Sequence, residues 1–192
     1  TTVGALSTTD ADAGDTFTYA LVSGDGDTDN TAFTIDGSNL VTATTFDFET
    51  QDSYSVRVQT TDSAGATFEQ VLTISVTDAN DTPTAIAIDN SSVAEDAASG
   101  TVVGALSTTD ADSSDTFTYA LVSGEGDTDN AAFTIDGSNL VTATTFDFET
   151  QDSYSVRIQT TDSGGATFEQ TLTISITDVN ETPTAVSISS TV

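Results

Sequence analysis

The chain has 192 residues, 31 acidic and two basic side chains, and no His, Cys, Met or Trp, leaving a formal net charge of -29. This inventory excludes zinc and haem sites, which draw on His and Cys, and nucleophilic catalysis by Cys or a Ser-His pair. It also excludes nucleic acid as a partner, because only Arg57 and Arg157 could meet a phosphate.

No signal-peptide pattern is present and no apolar run approaches the ~20 residues of a spanning helix, so direct membrane insertion is not expected. The hydrophobic fraction of 36% and the high net charge place the chain near the compositional border of disorder. A partner that neutralises charge would favour the folded state. Val3-Gly4-Ala5-Leu6-Ser7-Thr8-Thr9-Asp10-Ala11-Asp12 returns unchanged as Val103 to Asp112, and the offset of 100 persists to Thr184-Ala185. Such a repeat divides the chain into an N-terminally truncated unit over 1–83, a complete unit over 84–183 and the start of a following unit over 184–192. The near identity of the copies leads us to expect a piece of a longer tandem array.

Seven strands are expected in the complete unit. They run near 85–94, 101–109, 115–122, 131–136, 139–146, 153–161 and 166–177. Phe117, Tyr119 and Leu121 alternate with polar or small residues, as do Tyr154, Val156 and Ile158, and Leu172, Ile174 and Ile176. A period of two gives each strand one buried and one wet face, and the wet faces are rich in Thr, which suits strands. Gly124-Glu125-Gly126-Asp127, Asp136-Gly137-Ser138-Asn139 and Asp162-Ser163-Gly164-Gly165 supply the turns. The fold class is therefore all-β: two tandem seven-stranded Greek-key β-sandwiches of immunoglobulin-like architecture, joined end to end.

The acidic residues gather at four turns: Asp10/Asp12, Asp47/Glu49, Asp62 and Asp78-Ala79-Asn80-Asp81 ahead of Pro83. They recur as Asp110/Asp112, Asp147/Glu149, Asp162 and Asp178-Val179-Asn180-Glu181. Calcium takes six to eight hard oxygen ligands at ~2.3–2.6 Å, from carboxylates, carbonyls and Asn amides. An Asp-x-Asp or Asp-x-Glu pair on extended backbone directs two carboxylates to one side. Turn formation on a solvated surface explains any one cluster but not all four. Asp25-Gly26-Asp27-Thr28-Asp29-Asn30 resembles the start of an EF-hand loop but has Asn30 where that loop needs Gly, so an acidic inter-strand loop is the preferred reading.

These motifs together resemble tandem cadherin-type repeats, in the bacterial version found in very large surface and secreted adhesins. The resemblance rests on Val93-Ala94-Glu95, Asp110-Ala111-Asp112, Asp147-Phe148-Glu149, Thr161-Asp162-Ser163-Gly164-Gly165 and Asp78-Ala79-Asn80-Asp81-Thr82-Pro83, and it covers the chain in order and spacing. It implies calcium between successive repeats. At the complete junction the implied ligands are Asp47 and Glu49, the Ala79 and Thr82 carbonyls, the Asn80 and Asp81 side chains, and Asp110, Asp112 and Asp162. Two ions are implied there, a third being left open. Asp10, Asp12 and Asp62 would face a preceding repeat; Glu95, Asp147, Glu149, Asn180 and Glu181 a following one.

The function implied is that of a non-enzymatic, extracellular extender, at the cell surface or secreted, in which calcium stiffens a bacterial adhesin and supports cell adhesion. Its partners would be neighbouring repeats of the same chain and another cell-surface protein or a polysaccharide. The alternative is a carbohydrate-binding module attached to a polysaccharide-active secreted protein, which would need an exposed aromatic row. Paired carboxylates also serve glycosidases, but here every pair lies at a domain end without an aromatic cleft.

Overall fold

Over Ser153–Thr161 the side chains of Val156, Ile158 and Thr160 are buried while the residues between them are partly exposed. That alternation fixes the register of the longest pairing in its unit. In the computed structural model, which describes residues 1–189, the chain divides into two units, Thr1–Ala79 and Asn80–Val192.

Unit 2 contains β7 (Ala85–Ile88), β8 (Ser92–Ala94), β9 (Val102–Thr109), β10 (Thr118–Leu121), β11 (Phe133–Asp136), β12 (Asn139–Thr142), β13 (Ser153–Thr161) and β14 (Thr167–Thr177). These form two sheets, β10-β13-β14-β8 and β11-β12-β9-β7. Strands β13 and β14 pair antiparallel from Ser153↔Ser175 to Thr161↔Thr167, and their turn closes with Asp162 N–H donating to the Ala166 carbonyl at 3.1 Å and Gly165 at φ +94°. Val156, Ile158 and Ile174 from one sheet meet Phe133, Leu140 and Leu106 from the other in the core. Phe133, Phe146 and Tyr154 form an aromatic cluster, stacked and edge-on, at centroid distances of 4.9 to 6.0 Å.

The first expected strand, over 85–94, is two strands on different sheets. Strand β7 pairs antiparallel with β9, whereas β8 pairs parallel with β14. The crossing is held by Asn90, whose Nδ2 donates to the carbonyls of Ser92 at 2.8 Å and Val103 at 2.6 Å. Gly104 permits the approach, since a Cβ there would collide with the Asn90 carbonyl. Counted as one switched strand, the unit keeps its Greek-key sandwich. Three other strands are shorter than expected. Residues 130–132 form a 3-10 turn ahead of β11, because the Asp129 carboxylate accepts from Ser155 N–H at 2.7 Å and the Asn130 amide bridges the Val122 carbonyl and Arg157 N–H. These side chains replace ladder bonds.

Unit 1 contains β1 (Thr2–Ala5), β2 (Thr18–Leu21), β3 (Phe33–Asp36), β4 (Asn39–Thr42), β5 (Ser53–Thr61) and β6 (Thr67–Ser75), in sheets β1-β4-β3 and β2-β5-β6. Its buried cluster is smaller: Phe33, Leu40, Val56 and Val58. The start of a further repeat, expected over 184–192, lies partly outside the described residues; positions 184–189 form no strand.

Candidate metal centres

At the end of unit 2 where β13 turns into β14, three segments converge. The Asp110-x-Asp112 pair follows β9, Asp162 opens the turn, and Asn80-Asp81 leads into β7. Asp112 is 8% exposed. One of its oxygens accepts the Asp81 N–H at 2.7 Å, while Oδ1 has no hydrogen-bond partner. Asp110 accepts the Asp112 N–H at 3.1 Å through Oδ1, and its Oδ2 is also without a partner. Asp162 Oδ1 accepts from Ala166 N–H at 2.8 Å, and Oδ2 from Asn80 Nδ2 at 3.1 Å. Oxygens of Asp110, Asp115 and Asp162 lie within 4.8 Å of one another.

Burial pushes the Asp162 carboxyl up, but hydrogen bonds from Asn80, Ala166, Gly165 and Gly164 outweigh it and hold the group below the usual carboxylate range. Gly164 is required for that seating, since a Cβ there would collide with the Asn80 amide. Buried carboxylate oxygens without partners are costly unless a cation meets them. The orphaned oxygens of Asp110, Asp112 and Asp115 therefore fit a hard, oxygen-seeking ion such as calcium.

The opposite end of unit 2 gathers oxygens of Glu95, Glu149, Asp178 and Glu181 within 4.8 Å. Glu95 is buried, 6% exposed, and accepts backbone N–H groups from Phe148 at 2.8 Å and Val179 at 2.6 Å. The Phe148 bond, then that from Val179, holds its carboxyl below the usual range. Glu181 is raised, first by burial and then by Glu149 and Glu95. Like charges crowd here, as expected of a half-site for a cation. Asp147 is engaged differently, accepting from Thr150 N–H at 3.1 Å and Thr150 Oγ1 at 2.9 Å. The Asn180 amide donates to the Glu181 carbonyl at 3.1 Å.

Unit 1 carries acidic residues at the corresponding positions in different groupings. Oxygens of Asp10, Asp12 and Asp15 cluster within 4.8 Å, and those of Glu49 and Asp78 do so at the other end. Asp62 Oδ1 accepts from Ala64 and Ala66 N–H, each at 2.8 Å. Thr50 donates to Asp47 and lowers its pKa. Ala79, Asn80, Asp81 and Thr82 are exposed, and the Asn80 amide donates to the Asp81 carbonyl at 2.7 Å. Sequence reasoning did not assign the carboxylates of Asp15, Asp115, Asp78 and Asp178 as ligands. The first two sit three residues past an Asp-x-Asp pair, a spacing that becomes informative only once the Ser63 and Ser163 hydroxyls are seen to bond them.

The acidic loop 25–30 is bonded into the fold. Asp27 accepts from Gly24 N–H at 3.0 Å, Asp29 from Ser55 N–H at 2.7 Å, and Asn30 from Arg57 N–H at 2.9 Å. Among the described residues Phe68 is the one exposed large aromatic, at 63%, so no aromatic row lies on either sheet face. No helix among them is long and apolar enough to cross a membrane.

Comparison with known proteins gives one answer. Residues 89–177 match the cadherin domain family. The chain is 32% identical over 196 residues to mouse protocadherin Fat 4, covering 96% of this chain and 4% of that protein. It is 32% identical over 174 residues to human protocadherin-23, covering 86% and 5%. It thus spans about a twentieth or less of these relatives. Among solved structures, protocadherin gamma B2 extracellular cadherin domains 3–6 match with TM-score 0.64 and 26% identity, over 86% of this chain and 40% of that one. Mouse cadherin-23 EC22–24 shares the fold at TM-score 0.66 and 24% identity, over 93% and 60%.

Proposed function

The chain is built of cadherin-domain repeats, calcium-dependent adhesion modules, and on that premise we propose that calcium binds its acidic domain ends and stiffens the tandem array, which acts as an extracellular extender in adhesion. The ligands would be Asp47, Glu49, Asn80, Asp81, Asp110, Asp112 and Asp162, with the Ala79 and Thr82 carbonyls. Asp10, Asp12 and Asp62 would bind with a preceding repeat; Glu95, Asp147, Glu149, Asn180 and Glu181 would bind with a following one. The likeness of the sequence motifs to bacterial repeats supports placing the array on a large surface or secreted adhesin. The observation that carries the reading is the set of orphaned buried oxygens on Asp110, Asp112 and Asp115.

The mechanism follows from electrostatics. A like-charge carboxylate pair at ~4 Å and an effective dielectric near 20 is unfavourable by about 4 kcal/mol before relaxation. Without metal, carboxylates drawn to one place repel and the linker flexes. A divalent cation converts that repulsion into shared ligation, so metal binding becomes rigidity. Small-angle scattering in millimolar calcium and then in chelator tests this. Calcium should raise the maximum dimension and reduce flexibility, with the response lost in Asp81→Ala. Identical profiles in the two buffers would refute the reading.

A further inference from the structure

Three peptide bonds in the chain join Asp to Gly: Asp25-Gly26, Asp36-Gly37 and Asp136-Gly137. In such a bond no side chain on the second residue screens its nitrogen from the Asp carboxyl carbon, and attack closes a five-membered ring. The fold treats the three bonds differently.

Asp136-Gly137 lies at the tip of the β11–β12 hairpin. Asp136 pairs with Asn139, so Gly137 and Ser138 form a two-residue turn. Gly137 has φ +60° and no non-glycine residue has positive φ, the type II′ pattern that places Gly first. Asp136, Gly137 and Ser138 are exposed. No atom beyond the adjoining residues comes within 4 Å of the place a Gly137 Cβ would take, and among the described residues the Asp136 carboxylate has no hydrogen-bond partner. Unit 1 has the same turn: Asp36 pairs with Asn39, and Gly37 is exposed at φ +60° with the same open space.

Asp25-Gly26 is held instead. The Asp25 carbonyl accepts from Arg57 Nη1 at 2.9 Å and the Gly26 carbonyl from Ser55 Oγ at 2.8 Å. Gly26 is half-buried, and a Cβ there would stand 2.5 Å from Val71 Cγ2. A peptide fixed at both carbonyls cannot turn its nitrogen onto the carboxyl without local opening.

We propose that Asp36 and Asp136 are sites of spontaneous isomerisation to isoaspartate, and that the fold protects Asp25. The Gly137 nitrogen bonds to Asp136 Cγ, while the proton on that nitrogen and the carboxyl hydroxyl leave as water. Water then opens the ring. Cleavage between nitrogen and Cγ restores Asp; cleavage between nitrogen and the Asp136 backbone carbonyl carbon leaves isoaspartate. One water is released and one consumed, nothing is oxidised or reduced, and no partner or metal takes part. The product carries Cβ in its main chain, one atom longer at the tightest point of the hairpin. The Ser138 carbonyl accepts the Leu106 N–H at 2.7 Å, and the next pair inward, Ile135↔Leu140, carries the fully buried Leu140. Lengthening the turn therefore loosens both its bond to β9 and the register behind it.

The test ages the 192-residue chain at neutral pH and physiological temperature, folded and, in parallel, unfolded in urea. Fragmentation mass spectrometry of proteolytic peptides locates isoaspartate, and Thr31 against Ala131 distinguishes the two hairpins. In urea all three bonds should isomerise alike. In the folded chain Asp36 and Asp136 should isomerise, with Asp25 at least roughly tenfold behind them. Hydrogen exchange over 133–142 should quicken in the aged fraction. Asp36→Glu with Asp136→Glu keeps both charges but would need a six-membered ring, so isoaspartate should vanish from the hairpins of a chain that melts as the parent does. Silence at Asp36 and Asp136 in the folded chain, Asp25 reacting as fast as they do there, or unchanged exchange in the aged hairpin would each overturn the inference.

Discussion

The backbone N–H of Asp81 donates to a carboxylate oxygen of Asp112 at 2.7 Å, across 31 positions of sequence. The linker is thus anchored to a buried acid at that end of unit 2 before any cation arrives. The other Asp112 oxygen has no partner, so the same side chain positions the backbone and presents a ligand.

Replacing Asp112 by Asn should separate those two roles. In chelator the variant should be as stable as the parent or more so, because an amide oxygen still accepts from Asp81 while a buried negative charge is removed. In calcium it should lose most of the stabilisation that metal confers, about 2.7 kcal/mol at a hundredfold excess over the dissociation constant. Calorimetric melts in the two buffers measure both effects.

Gly164→Ala tests the seating of Asn80. The added methyl would collide with the Asn80 amide and break its bond to Asp162. Calcium affinity should fall, by about tenfold if one charge-assisted bond of roughly 1.4 kcal/mol is lost. Isothermal titration should show the drop while circular dichroism remains unchanged. Unit 1 carries Ala64 at the equivalent place, so the sandwich itself accommodates Ala there.

The two cores should melt separately. Unit 1 buries four core side chains where unit 2 buries eleven, so a scan in chelator should show a lower transition for unit 1 and a higher one for unit 2. Leu140→Ala should cost about 2–5 kcal/mol and move the upper transition alone. Leu40→Ala should move the lower one.

Acid sensitivity should track two ion pairs remote from the metal centres. The Arg57 guanidinium donates to Glu69 and holds its carboxyl below the usual range, with Gln59 adding to the effect. Arg157 and Gln159 do the same for Glu169. A lowered folded pKa means this contribution is present above the ordinary value of 4.5 and is lost as pH falls through the folded one. The melting-temperature gap between the parent and a Glu69→Gln, Glu169→Gln double variant should close on acidification. A gap independent of pH would contradict it.

Much of this was legible in the sequence because the sandwich obeys a strict period of two. Tyr154, Val156 and Ile158 announce their inward face, and the offset of 100 residues exposes the repeat. The sheet switch at Asn90 was not legible: it depends on an amide reaching Val103, a contact set by tertiary structure. The late start of β11 was hidden for the same reason, since Asp129 and Asn130 take over backbone bonds from afar. At the acidic ends, clustering identified most of the carboxylates, but not that Asp147 is turned onto Thr150 or that Asp115 faces Asp110 and Asp162.

The parallel pairing of β8 with β14 bears on how the domain responds to force. Near the start of unit 2, Ser92, Val93 and Ala94 lie beside Ser175, Ile176 and Thr177 close to its end, both strands running the same way. A pull on the two ends drags these neighbours past one another along their length. The ladder is then loaded in shear, so its bonds must yield together, whereas a hairpin pulled from its open end gives way one rung at a time. A strand of three residues thereby acts as a mechanical clamp at the place where tension enters and leaves the domain.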